Sequence, residues 1–344
     1  MNRCFQLALL GSGNVAPNPM VGAVLVYNDH IISEGYHAKF GGPHAEVMAL
    51  APIKDRKVLE QTTLYVSLEP CSHSGKTPPC TELIISKNIR KVVVAVEDPF
   101  PQVNGSGIKQ LTEAGIEVSM GLLEEQAKRI NRRFFTFHKN KRPYIILKWA
   151  QSPDGYIAPA PNNKKGTIHW ISNPVSQKLV HRWRSEEQAI LAGRKTIEAD
   201  NPQLNVRGIA GNDPVKIIID PDLSLNESYT VFKSETPVII FNLVKNSLAK
   251  NITYVKINNH GEMIKEILDF LYHYKIQSVL IEGGAFTINK FIAGGWWDEA
   301  RIFTGGKLLQ NGTPAPAFSG IFHEKHKIAD DTLDIYFNPG AISL

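Results

Sequence analysis

Hydrophobic positions come in two alternating forms along this chain. Val21 to Tyr27, Thr63 to Leu68 and Val92 to Val96 are short β-branched runs of strand length. Longer amphipathic stretches begin near His44 and Pro79, between those runs, and predict helices. Strand and helix in turn are the rhythm of an α/β layer. Gly107 to Ala114 predicts another helix, closed by Gly115, and Ile116 to Val118 starts a further strand. The charged stretch Glu124 to Phe137 reads as one continuous helix.

At Lys139-Asn140-Lys141-Arg142-Pro143 the chain turns basic and meets a proline, and an apolar strand, Tyr144 to Trp149, opens a second series. The domain boundary is placed here, giving domains 1–142 and 143–344. The second series predicts strands at Gln188 to Leu191, Val215 to Asp220, Val238 to Phe241, Ser278 to Glu282 and Glu299 to Thr304. Helices are predicted at Pro174 to Trp183, Met263 to Tyr274 and Ala285 to Ala293. No internal repeat links the halves, so two different α/β modules are expected.

Composition narrows the function classes. The 344 residues carry 38 Lys+Arg against 33 Asp+Glu, a net charge of +5, too thin a surplus for a nucleic-acid partner. At 43% hydrophobic and 21% charged, the chain is an ordinary globular one. Three cysteines make no disulfide framework, and Met1-Asn2-Arg3-Cys4 leads into no signal-peptide core. No apolar run approaches the roughly 18 residues of a membrane span. A soluble cytoplasmic protein without membrane contact is expected.

The most informative residues are His44-Ala45-Glu46, Glu69-Pro70-Cys71 and Pro78-Pro79-Cys80. One imidazole and two thiolates, His44, Cys71 and Cys80, give Zn2+ three ligands and leave a fourth position for water, the arrangement of a catalytic site. Glu46, two residues from a ligand, is placed to move the proton of that water. Hydrolytic deamination is the chemistry this set supports. A proline before each ligand predicts all three at helix N-termini, where the dipole favours thiolate. Cys4, the spare thiol, reads as a small core residue.

Zinc deaminases usually pair their cysteines tightly, whereas Ser72 to Pro79 intervene here. With Ala16-Pro17-Asn18-Pro19-Met20-Val21-Gly22-Ala23, Gly35-Tyr36-His37 and the run Glu69 to Cys80, this departure resembles the deaminase half of the RibD family of bifunctional riboflavin-biosynthesis proteins. The resemblance implies a cytidine-deaminase-like α/β/α domain. It also implies Asn18, His37, His73 and Lys76 as contacts for a pyrimidine nucleotide; a loop with glycine and one lysine suits a single phosphate.

In the second half, Ile281-Glu282-Gly283-Gly284 runs from strand to helix, so that backbone amides can approach a pyrophosphate. Gly11-Ser12-Gly13 and Gly105-Ser106-Gly107 lack a preceding strand or the full pattern and are set aside as cofactor sites. Lys148-Trp149-Ala150-Gln151-Ser152-Pro153-Asp154-Gly155, Trp170-Ile171-Ser172 and the run Thr196 to Arg207 resemble the reductase half of the same family. That resemblance implies a dihydrofolate-reductase-like α/β domain and NADPH. It implies cofactor contacts at Ala150, Trp170, Thr196, Asp200 and the segment Gly284, Ala285, Phe286, Thr287, Ile288, Asn289 and Lys290. It implies Lys148 and Glu282 near the reacting groups, with Arg184, Leu204 and Arg207 on substrate. A guanidinium fork matches phosphate oxygens, which is the role expected of Arg184 and Arg207. Arg194 and Lys195 are candidates for selecting the 2′-phosphate of NADPH. Pro153 and Ile168 depart from the family pattern, as does the segment from Gly305 to Phe318.

The joint expectation is a bifunctional enzyme with a small anionic substrate. It would deaminate a diaminopyrimidinone nucleotide and then reduce its ribosyl side chain, as a homo-oligomer. Two other readings stand beside it: a zinc-dependent RNA base deaminase with an accessory domain, and a zinc-stabilised binding module without turnover.

Overall fold

In the computed structural model, residues 1–73, 78–160 and 170–340 are described, so Lys76 and Ile168 lie outside the described residues. The chain divides into two compact units, Met1–Lys141 and Arg142–Leu344.

The first unit runs α1 (Asn2–Leu9), β1 (Gly22–Tyr27), β2 (His30–Tyr36), α2 (Ala45–Leu50), α3 (Arg56–Glu60), β3 (Thr63–Val66), α4 (Cys80–Ser86), β4 (Lys91–Val94), α5 (Ser106–Glu113), β5 (Glu117–Met120), α6 (Glu124–Ile130) and α7 (Arg132–Asn140). Its sheet has the order β2-β1-β3-β4-β5. β1 is antiparallel to both neighbours, and β3, β4 and β5 are parallel. Successive residues of β1 face opposite sides. Ala23 and Leu25 pack with Ala45 and Ala49 of α2 and Ile84 of α4. Val24 packs with Cys4 and Leu7 of α1. Helices therefore cover both faces, giving an α/β/α sandwich.

The helix expected over 124–137 is two helices meeting at Asn131. Its side chain holds the backbone of Met20 at both ends, with Met20 N–H donating to Oδ1 at 2.8 Å and Nδ2 donating to Met20 O at 2.9 Å. That tertiary clamp, invisible to helical periodicity, breaks the helix and fixes the loop carrying Asn18.

The second unit runs β6 (Tyr144–Gln151), β7 (Tyr156–Pro159), α8 (Pro174–Glu186), β8 (Ala189–Gly193), α9 (Arg194–Asp200), β9 (Val215–Ile219), β10 (Val238–Asn242), β11 (Ser247–Ala249), β12 (Ile252–Lys256), α10 (Met263–His273), β13 (Ser278–Ile281), α11 (Ala285–Ala293), β14 (Glu299–Thr304), β15 (Gly312–Pro314), β16 (Ile321–Ile328) and β17 (Asp331–Phe337). Its main sheet has the order β11-β12-β10-β9-β8-β13-β6-β14-β17-β16, parallel from β12 to β14. Ile145, Leu147 and Trp149 of β6 face a core shared with α10 and α11. Tyr144 and Ile146 face α8 through Val180 and Trp183. The pleat therefore turns Lys148 to the α8 side. Glu282, next after β13, is on that side as well, because Leu280 packs there. Among the described residues, no helix is long and apolar enough to cross a membrane.

Candidate active sites

In the first unit, His44 is the N-cap of α2 and Cys80 is the first residue of α4. Cys71 departs from expectation: it lies in the loop after β3, because Pro70 introduces a loop rather than a helix. His44 Nδ1 lies 3.3 Å from Cys80 Sγ and 3.5 Å from Cys71 Sγ, and the Cys80 N–H donates to Cys71 Sγ at 3.3 Å. All three ligand atoms fall within 4.8 Å of one another. One imidazole nitrogen and two sulfurs sharing protons at this distance are a donor set that fits zinc. Hydrogen bonds from Cys80 and then His44 draw the Cys71 thiol far below its ordinary value, against the opposing effect of burial. Cys80 is pushed up by its hydrogen bond to Cys71 and by burial.

Glu46 is 3% exposed in the first turn of α2. Burial, followed by the charge of Cys71, pushes its carboxyl up to about 7, so it both holds and releases a proton near neutrality. His37 packs edge-on to His44, with ring centroids 5.5 Å apart. Its Nδ1 faces the Pro43 carbonyl at 2.9 Å and its Nε2 faces Asn18 Nδ2 at 3.1 Å, which fixes Nδ1 as the protonated nitrogen. Burial keeps this ring neutral by lowering its pKa. Asn18, His37, His44 and Glu46 are thus brought together. The ring of His73 leans edge-on against Phe100, and its buried Nδ1 has no hydrogen-bond partner among the described residues. Cys4 is buried in the core, as expected.

In the second unit, Lys148, Arg184 and Glu282 converge. Arg184 donates through Nε and Nη2 to the two Glu282 oxygens at 2.8 and 2.9 Å, and through Nη1 to Asn205 O at 3.0 Å. Lys148 Nζ lies 3.6 Å from Glu282 Oε2. Burial acts to raise the Glu282 carboxyl, but Arg184 and Lys148 outweigh it and hold the group at about 2. Burial lowers the Lys148 ammonium, partly offset by Glu282. The Arg184 fork, expected on phosphate, is paired with a carboxylate in this structure. Arg207 is exposed and paired only with neutral side chains, Gln203 and Asn205, among the described residues.

Beside this cluster, the adjacent parallel strands β8 and β13 end in the N-termini of α9 and α11. The Gly284 N–H donates to Thr196 Oγ1 at 2.8 Å. A Cβ on Gly193 would come within 2.4 Å of Thr287 Oγ1, so glycine is what lets the two helix starts approach. The amides at the start of α11, at Ala285 and Phe286, have no carbonyl one turn earlier, which makes a cradle suited to a dinucleotide's phosphates. Asp200 stands one turn after Thr196 on α9, and Ala150 lies near the end of β6. Trp170 and Phe286 are exposed, so neither is a core residue. Asn289 and Lys290 are exposed further along α11.

The side chain of Ile288 is fully buried in the core and that of Leu204 is buried beside Ile197 and Val231. Arg194 is engaged by Ser224, Asp222 and Glu198. Sequence reasoning missed Asn131 and Glu69, whose contacts are with backbone far along the chain. Only the charge of Glu69 two residues before a ligand could have signalled it.

The model for the cytidine and deoxycytidylate deaminase zinc-binding region matches residues 1–96, and that for the RibD C-terminal domain matches residues 143–327. The riboflavin biosynthesis protein RibD of Aquifex aeolicus is 40% identical over 91% of this chain and 87% of its own length. RibD of Escherichia coli is 32% identical over 90% and 87%. The crystal structure of the diaminohydroxyphosphoribosylaminopyrimidine deaminase/5-amino-6-(5-phosphoribosylamino)uracil reductase of Thermotoga maritima superposes with a TM-score of 0.88 at 34% identity, covering 98% of this chain and 97% of that one. The chain belongs to the RibD family, the bifunctional zinc-dependent deaminases and NADPH-dependent reductases of riboflavin biosynthesis.

Proposed function

We propose that the first unit hydrolyses the 2-amino group of 2,5-diamino-6-ribosylamino-4(3H)-pyrimidinone 5′-phosphate and that the second reduces the ribosyl side chain of the product. The observation that carries this reading is the pairing, in one chain, of a His-Cys-Cys donor set beside a buried carboxyl with a Lys-Glu-Arg cluster beside a dinucleotide cradle.

In the deaminase site, His44, Cys71 and Cys80 would hold Zn2+, which would supply a Lewis acid to make water more acidic. Glu46 takes the first proton of the attacking water and hands it to the ring nitrogen, then carries the proton of the newly formed hydroxyl to the amine, which leaves as ammonia as the C–N bond breaks and the carbonyl forms. Asn18 and the neutral His37 orient the pyrimidine, while His73 and Lys76 hold its ribose phosphate.

In the reductase site, bound NADPH supplies a hydride. Lys148, its ammonium made more acidic by burial, gives a proton to the ring oxygen of the ribosylamine as the C1′–O bond opens. Glu282 holds Lys148 in place and is itself held by Arg184. Arg207 takes the substrate phosphate. The amides of Ala285 and Phe286, the hydroxyls of Thr196 and Thr287, and the walls at Ala150, Trp170, Asp200, Asn289 and Lys290 take the cofactor.

We also propose that the enzyme works as a cytoplasmic homo-oligomer. The outermost strand β16, with Ile321 and Phe322 exposed, supports association, and sedimentation velocity on the purified chain tests it. The catalytic reading is tested by mass-resolved assay of the zinc-loaded enzyme with the diaminopyrimidinone nucleotide. A gain of one mass unit without cofactor, and two more on adding NADPH, is expected. No mass change with zinc bound overturns the substrate assignment.

A further inference from the structure

Helix α5 supplies no metal ligand and no group to the chemistry above, yet the chain around Cys71 is fastened to it at several points. The fastening starts at Glu69, 3% exposed and two residues before Cys71. Its Oε2 accepts the N–H groups of Asp98 at 3.1 Å and Gly105 at 3.0 Å. Its Oε1 accepts those of Gly107 at 2.8 Å and Ile108 at 3.2 Å. Gly105 is the N-cap of α5, and Gly107 and Ile108 lie in its first turn, so a carboxylate from another segment caps this helix. Charge-assisted bonds of this kind are among the strong ones, and four of them converge on one buried group.

The approach is close enough to dictate residue type. A Cβ on Gly107 would sit 2.1 Å from the Pro70 carbonyl oxygen, so only glycine admits the contact. The Gly105-Ser106-Gly107 run, which is no cofactor fingerprint, acquires a purpose here. Beyond Cys71, the Ser72 and Ser106 hydroxyls meet at 2.6 Å. Thr81, next to Cys80, donates its hydroxyl to Cys71 O at 3.3 Å and also meets Gln110 of α5. α5 therefore grips the chain before Cys71, after Cys71 and after Cys80.

We propose that Glu69 is a positioning residue for the zinc centre, setting the place of Cys71 directly and that of Cys80 through the Thr81–Gln110 contact. The proposal rests on the zinc-deaminase reading of this site. A thiolate that wanders binds metal less tightly and holds the attacking water less well; weakening such outer contacts costs about 10- to 100-fold in metal affinity or activity.

The test is Glu69→Gln in the full chain, a change that keeps shape but leaves only one oxygen to accept backbone N–H groups. Five quantities are read on each zinc-loaded preparation: zinc release to a chromophoric chelator, kcat and KM for deamination, the reductase rate, and Tm. The visible spectrum of the cobalt(II)-substituted protein is recorded as well. The expected result is zinc release faster by about tenfold or more, an altered cobalt spectrum, and a kcat that falls more than KM rises, with an unchanged reductase rate. A merely structural role would lower Tm while leaving zinc release and the cobalt spectrum as in wild type, and that result overturns the proposal. If Glu69→Gln fails to fold, Thr81→Val decides: faster zinc release supports the proposal, and wild-type release overturns it. Wild-type protein that takes up no zinc would instead sink the metal-site reading itself.

Discussion

The two centres solve opposite electrostatic problems. In the deaminase site, an imidazole and two thiols face one another, and a cation is what satisfies them together. In the reductase site the carboxylate is already paired, because Glu282 lies between the guanidinium of Arg184 and the ammonium of Lys148, leaving the cluster one positive charge in excess. The first site is completed by its metal. The second is complete as protein, and its substrate must share or replace existing ion pairs. A site of the first kind depends on its cofactor for activity and local order, whereas one of the second kind holds its geometry while empty.

Metal removal should break this symmetry most sharply. Stripping zinc with a chelator at neutral pH is expected to lower deaminase turnover by more than about a thousandfold, while the reductase rate of the same sample is unchanged. Parallel loss of both activities would show that the centres are not independent in this sense. Glu46→Gln comes next. It keeps the donor set and removes the proton carrier, so deaminase kcat should fall by about 10²- to 10⁴-fold with zinc content unaltered. Metal analysis beside the assay separates this outcome from loss of zinc.

The reductase counterpart is Glu282→Gln, which leaves two buried cations without their carboxylate. Removing one partner of such a cluster costs about 3–5 kcal/mol. The wild-type ion pair also predicts a pH dependence. Glu282 falls from an ordinary 4.5 to about 2, so the folded unit binds fewer protons than the unfolded chain between those values. Its contribution is complete above about 4.5 and is lost as pH falls toward 2, about 3 kcal/mol in all. Denaturant titrations of the second unit from pH 5 to pH 2.5 should show this loss in wild type. The same titrations of Glu282→Gln should lack it.

The difference between the centres also governs how much of each could be read from sequence. His44 and Cys80 are 36 residues apart and of types that announce metal chemistry, so the donor set was legible. Arg184 and Glu282 are 98 residues apart, and a guanidinium fork fits a carboxylate as well as a phosphate, so the choice between them belonged to tertiary structure. Strands with one or both faces buried, such as β6 and β13, were visible as apolar runs. β16 was not: its His323-Glu324-Lys325-His326-Lys327 is polar throughout because the strand lies at a sheet edge. The break at Asn131 escaped for a related reason, since its partner Met20 is 111 residues away. What pattern reading recovers is local chemistry and burial, and what it loses are bonds whose second partner lies far along the chain.

The smallest effect sharpens the assignment of the cofactor cradle. Thr196 and Ile288 both belonged to the expected NADPH contacts, yet the structure turns Thr196 Oγ1 toward the Gly284 amide and buries Ile288 among Phe291 and Leu268. Ile288→Val should therefore cost about 0.5–1.5 kcal/mol in stability, the loss of one buried methylene. It should leave the KM for NADPH unchanged. Thr196→Val should do the reverse: it removes the acceptor that aims the Gly284 amide, so KM for NADPH rises by several-fold at little cost in Tm. Steady-state titration of NADPH beside thermal denaturation of both variants distinguishes the two roles. A raised KM in Ile288→Val would return that side chain to the cofactor site and require the start of α11 to rearrange when the dinucleotide binds.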